Sequence, residues 1–141
     1  DFKLTATDLS TQTLADFGCE NCILSIFPSL DTRTCANSVE TFSERLAQES
    51  HLRILCISRD LPFAQGRFAA SKNIKNIHFL SDYKTGQFGR DYGLEIVDGP
   101  LAGLLSRCVI AIDASGLIRF TQQVAEIAEE PDYTAAFDSL K

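Results

Sequence analysis

Apolar residues along this chain switch between two periods. Ile23-Leu24-Ser25-Ile26-Phe27 is a short apolar run closed by Pro28, the pattern of a buried central strand. After it, Cys35, Val39, Phe42 and Leu46 recur at spacings of four, three and four, so they share one face of a helix. Ser38, Glu40, Ser43 and Glu44 fall between them and form its polar face. Asp31, Thr32 and Thr34 are each competent N-caps for that helix. Leu52 to Ile57 predicts a second central strand and Ile77 to Leu80 a third. Between them, Pro62 to Ser71 predicts a short helix with Pro62 in its first turn. Gly86 to Tyr92 predicts another, ended by Gly93, and Pro131 to Leu140 a closing one. Arg107 to Ile112 and Leu117 to Thr121 flank Asp113-Ala114-Ser115-Gly116, a hairpin signal in which Gly116 takes a positive φ. Phe2 to Ala6 alternates and predicts a short edge strand. Strands alternating with helices predict an α/β domain, and the hairpin makes its sheet mixed.

Composition narrows the classes of function. The 141 residues suit a single domain spanning 1–141, large enough to hold its core without disulfides. No apolar run approaches about 20 residues, so no membrane span is expected, and no signal peptide is visible. The net charge is −6, with acidic residues scattered along the chain, which disfavours nucleic acid as a partner. With only His51 and His78, there is no His-rich metal cluster, and no cofactor is expected. The five cysteines are an odd number, so at least one thiol is unpaired within the chain. A reducing compartment, the cytoplasm, is the expected setting.

Cys35 carries the candidate chemistry. It falls in the first turn of a predicted helix, directly after a buried strand. Unpaired backbone N–H groups and the positive end of the helix dipole converge there and favour a thiolate over a thiol. Arg33 adds favourable charge and Asp31 opposes it. A plain core cysteine also fits, since Cys35 shares its face with Val39 and Phe42. Cys19 and Cys22 form C-x-x-C. The pair precedes the strand and lacks a helix N-terminus to activate it, so an incidental loop pair is expected. A redox pair or half of a metal site are the alternatives, though zinc needs two more ligands. Cys56 and Cys108 sit inside apolar runs and are expected to fill the core. Neither Gly86 to Gly93 nor Gly99 to Gly103 has the spacing of a phosphate loop.

The segment Pro28-Ser29-Leu30-Asp31-Thr32-Arg33-Thr34-Cys35 reads P-x-x-x-T-x-x-C. It resembles the active-site motif of the peroxiredoxins. Asn21-Cys22-Ile23 through Ala36, Leu55 through Gln65, Arg90-Asp91-Tyr92-Gly93, Val97 through Leu101 and Glu130-Pro131-Asp132-Tyr133 are similar to the thiol peroxidase subfamily, the atypical two-cysteine peroxiredoxins. The resemblance covers nearly the whole chain. It implies a thioredoxin-like fold, with a mixed central sheet flanked by helices, and a peroxidatic cysteine at Cys35. It implies Thr32 as the hydroxyl partner of the thiolate and peroxide, Arg107 as the guanidinium, and Pro28 as the cap of the pocket. The implied activity is reduction of hydrogen peroxide and of alkyl or lipid hydroperoxides. A sulfenic acid forms on Cys35, thioredoxin is the reductant, and the assembly is a homodimer. The subfamily's N-terminal hairpin is expected to be missing.

One position departs from the subfamily. Its resolving cysteine lies in the short helix after Asp60-Leu61-Pro62-Phe63-Ala64-Gln65, and here Arg67-Phe68 is followed by Ala69. Peroxide attack by Cys35 is expected to survive this change, while recycling through an internal disulfide is not. Two other readings stay open. One is a thiol–disulfide oxidoreductase using Cys19 and Cys22. The other is a peroxide-sensing module whose oxidised Cys35 is read by a partner.

Overall fold

The computed structural model describes residues 1–18, 20–49 and 51–141. Seven strands form one sheet: β1 (Leu4–Ala6), β2 (Thr11–Gln12), β3 (Asn21–Ile26), β4 (Leu52–Ser58), β5 (His78–Ser81), β6 (Cys108–Ile112) and β7 (Ile118–Gln123). Their spatial order is β2-β1-β5-β4-β3-β6-β7. β3, β4 and β5 run parallel, and the other neighbours are antiparallel. The sheet is therefore mixed, as the hairpin predicts. Helices α1 (Arg33–Leu46), α2 (Pro62–Ser71), α3 (Gln87–Asp91) and α4 (Tyr133–Asp138) pack around it. No described helix is long and apolar enough to cross a membrane.

Side chains alternate across each strand, so the apolar runs feed two cores. Ile23, Ile54, Cys56, Phe79 and Val109 face one side of the sheet, where the stripe of Cys35, Val39, Phe42 and Leu46 from α1 packs with Phe137 of α4. Leu24, Ile26, Leu55, Ile57 and Ile110 face the other side, against Phe88 of α3 and Leu105. Each fully buried side chain of this size contributes about 1.5–3 kcal/mol. Runs apolar on both parities therefore belong at the centre, and that is where β3 and β4 lie. Polar groups set the helix starts. Thr32 caps α1, Pro62 opens α2 at its first turn, and the Asp132 carboxylate accepts the N–H of Ala135 to start α4.

Two sequence expectations change. The strand within Phe2 to Ala6 is not at the edge, because β1 pairs with β5 on one side and β2 on the other. The true edge, β2, spans two residues and is too short to show a period. Cys22 does not sit in a loop. It is the second residue of β3 and is buried on the α3 side. That burial, followed by the nearby Glu20 charge, pushes its thiol up to about 11. Cys19 lies outside the described residues, and with it the C-x-x-C pair as a unit.

Candidate active site

Because β3 and β4 are parallel neighbours, the loops leaving their carboxyl ends lie side by side, the usual place for a site in an α/β sheet. The first loop runs from Pro28 into α1. The second carries Asp60 into α2. On the other flank of β3, the antiparallel β6 pairs Cys108 with Ile26. Arg107, just before β6, thus arrives at the same end of the sheet.

Cys35 is in the first turn of α1 and is 0% exposed. Arg107 Nη2 donates a hydrogen bond to Cys35 Sγ at 3.2 Å. Arg107 is itself only 3% exposed, and its Nε donates to the carbonyl of Ile127 at 2.9 Å. A guanidinium keeps its charge, and out of water that charge demands an electron-rich partner. The Ile127 carbonyl and the Cys35 sulfur are its partners. Cys35 therefore belongs both to the apolar stripe of α1 and to a polar contact.

Thr32 is the N-cap of α1. Its hydroxyl donates to the carbonyl of Ser29 at 3.0 Å and accepts the N–H of Cys35 at 3.4 Å. The geometry thus ties Thr32 to the backbone of Cys35, with the hydroxyl proton already committed to Ser29. Pro28 is buried just beyond β3. Asp31 and Arg33 are exposed, and the guanidinium on the sulfur belongs to Arg107 instead of Arg33. Ala69 lies in α2, partly buried against the same apolar cluster as Cys35.

Asp60, Ser58 and Tyr133, to which the sequence alone assigns no role, support this arrangement, and so does Ser38, which is expected on the polar face of α1 and is instead buried. The Asp60 carboxylate accepts Ser29 Oγ–H at 2.7 Å, the N–H of Leu30 at 2.8 Å and Ser58 Oγ–H at 2.8 Å. From the opposite side, Tyr133 O–H donates to Ser38 Oγ, which donates to the carbonyl of Thr34 at 2.9 Å. Burial pushes the Tyr133 hydroxyl up to about 12, so it stays a donor. The available signal is the abrupt change from the apolar Leu52 to Ile57 run to Ser58 and Asp60.

The remaining described thiols are in different surroundings. Burial, and then the proximity of the Cys35 sulfur, push the Cys56 thiol far upward. Burial pushes Cys108 up to about 11. Both are buried strand residues, as expected for core fillers. Among the described residues, no group of three or more His, Cys, Asp or Glu side chains could hold a metal.

Comparison with known proteins gives this geometry its class. The family model described as Redoxin matches residues 1–137. The thiol peroxidase of Mycobacterium tuberculosis is 46% identical over 139 residues, covering 99% of this chain and 83% of that protein. The thiol peroxidase of Corynebacterium glutamicum is 44% identical over 140 residues, covering 99% and 84%. Among solved structures, a peroxiredoxin-like protein from Aquifex aeolicus superposes with a TM-score of 0.88 at 33% identity, covering 97% of this chain and 80% of that one. A thiol peroxidase from Chromobacterium violaceum matches in fold, with a TM-score of 0.90 at 22% identity and coverage of 97% and 80%. The chain belongs to the Redoxin family as a thiol peroxidase of the peroxiredoxin type. It is a peroxidase enzyme with the thioredoxin-like fold of that class.

Proposed function

We propose that Cys35 is the peroxidatic cysteine and that it reduces hydrogen peroxide and organic hydroperoxides, alkyl and lipid ones included. The observation that carries this reading is the Arg107 guanidinium, hydrogen-bonded at 3.2 Å to a sulfur in the first turn of a helix. The Cys35 thiolate attacks the terminal peroxide oxygen. An S–O bond forms, the O–O bond breaks, and its electron pair leaves with the distal oxygen. The attacked oxygen keeps its hydrogen, so Cys35 becomes a sulfenic acid. The departing alkoxide or hydroxide takes a proton and leaves as alcohol or water.

Negative charge moves from sulfur to the leaving oxygen, so donors fixed along that line favour the transition state over the ground state. Arg107 is pinned through its Nε to Ile127, which leaves its Nη groups to follow the charge. Thr32, whose own proton is held by Ser29, acts as an acceptor and orients the peroxide O–H. Pro28 limits water around the sulfur. Ala69 removes the internal resolving thiol, so the sulfenic acid awaits an outside thiol, with thioredoxin as the reductant that completes the cycle. A homodimer in the cytoplasm is part of the same reading.

Mass spectrometry after one equivalent of hydrogen peroxide tests it. The expected product carries one added oxygen on Cys35 and is captured by a sulfenic-acid reagent. A Cys35→Ser variant that consumed peroxide at the parent rate would overturn the reading.

A further inference from the structure

We propose that the Asp60 carboxylate is a positioning residue for Cys35, holding the Ser29–Thr32 turn in the one geometry that seats the reacting sulfur. The inference rests on the reading of Cys35 as the attacking sulfur and adds what holds that sulfur in place. Asp60 belongs to a different part of the chain, the loop between β4 and α2. Its carboxylate nonetheless takes three donors, two of them from the loop that leads into α1: Ser29 Oγ–H at 2.7 Å and the N–H of Leu30 at 2.8 Å.

From there the bonds run on without a gap. The Ser29 carbonyl, fixed by these contacts, accepts both the N–H of Thr32 at 3.2 Å and its hydroxyl at 3.0 Å. The Thr32 hydroxyl in turn accepts the N–H of Cys35 at 3.4 Å. The carboxylate is thus three hydrogen-bonded steps from the backbone of the reacting residue. It touches neither the sulfur nor, on this geometry, the peroxide.

Asp60 is braced in its own right. Ser58 Oγ donates to it at 2.8 Å, and the fully buried Gln65 of α2 donates to Ser58 at 3.2 Å and to the carbonyl of Leu80 at 3.0 Å. The Asp60 carbonyl also accepts Ser81 Oγ–H at 2.5 Å. The turn is therefore anchored to β4, β5 and α2, all outside the helix that carries Cys35. A carboxylate suits this task because it is acceptor-only and faces only donors. An Asn amide would have to turn an N–H₂ toward one of them. Charge-assisted bonds of this kind are also stronger than neutral ones. A shift of the turn by a fraction of an ångström would misalign Thr32 and Arg107, and such misplacement is costly to rate.

The test compares Asp60→Asn with the parent in three measurements. These are single-turnover peroxide consumption, iodoacetamide alkylation of Cys35, and amide hydrogen exchange at Cys35. The peroxide rate should fall about tenfold or more. Alkylation, which needs no aligned oxyanion donors, should hold or rise, and exchange at the Cys35 amide should accelerate. General damage would lower both reactions together. A folded Asp60→Asn protein with the parent's peroxide rate overturns the proposal, as does an equal fall in alkylation. If Asp60→Asn fails to fold, Ser29→Ala and Ser29→Thr decide. Ser29→Ala should slow peroxide consumption while Ser29→Thr, which keeps the hydroxyl, should not, and a parental rate in Ser29→Ala overturns the proposal. The parent separates the two layers. If it shows no Cys35-dependent burst, the peroxidatic reading itself fails. A parental burst with an unchanged Asp60→Asn rate removes only the role of Asp60.

Discussion

The guanidinium of Arg107 meets the sulfur of Cys35 across 72 positions of sequence. The contact exists because β6 lies antiparallel against β3, with Cys108 opposite Ile26. The residue before β6 therefore stands above the loop that follows β3. Arg107→Lys keeps a charge there and loses the planar fork that bonds Ile127 and Cys35 together. Peroxide consumption should fall about 10²-fold, the scale for removing one oriented donor to a developing anion. Stopped-flow single-turnover kinetics checks this. A Lys variant within a factor of a few of the parent would mean that positive charge alone suffices.

Thr32 separates capping from chemistry. Thr32→Val leaves the N–H of Cys35 without its acceptor and α1 without its cap. The loss of stability should be about 1 kcal/mol, seen as a lower melting temperature. The peroxide rate should fall further than that loss can explain, because the acceptor that orients the peroxide is gone. Thr32→Ser should restore both. If the Val variant melts early but reacts at the parent rate, Thr32 is a helix cap and nothing more.

The sequence was most legible where one local period carries the element. Pro62 to Ser71 folds as the α2 that its composition predicts. The four-three-four spacing from Cys35 to Leu46 becomes the buried stripe of α1. Legibility ended where partners are remote. Asp60 bonds Ser29 and Leu30 because two parallel strands end together, a relation that neither segment displays by itself. Cys22 falls outside the predicted strand because β3 begins at the polar Asn21, ahead of the apolar run that starts at Ile23. For Arg107, the resemblance singled out the residue, and strand register accounts for how it reaches the sulfur.

Ala69 makes a prediction about turnover. It shares the apolar cluster of Cys35, so a thiol introduced there would lie on the same side of the sheet. In Ala69→Cys, one equivalent of peroxide should yield a disulfide linking positions 35 and 69, identified by peptide mapping. Thioredoxin-dependent turnover should rise sharply over the parent. Formation requires local movement of the two helices, since disulfide geometry tolerates little error in Cα separation. Persistent sulfenic acid in that variant would show that α2 is not the resolving helix in this chain.

The buried thiols outside the site predict how the fold responds to base. Burial pushes Cys22 and Cys108 up to about 11 from an ordinary value near 9. Each therefore holds its proton in the folded chain at a pH where the unfolded chain has released it. A group raised in this way contributes stability that is fully present below its unfolded pKa and is lost as pH rises toward its folded pKa. Between about pH 9 and 11 stability should fall by up to about 1.4 kcal/mol per pH unit for each such thiol. Urea denaturation across that window measures the slope. Cys22→Ala and Cys108→Ala should each flatten it, whatever they cost in packing at neutral pH. If the double variant kept the parent's slope, the alkaline loss would have to come from other groups, first Cys56, which burial pushes further up, tested by Cys56→Ala, and then Tyr133, held up to about 12 by burial, tested by Tyr133→Phe.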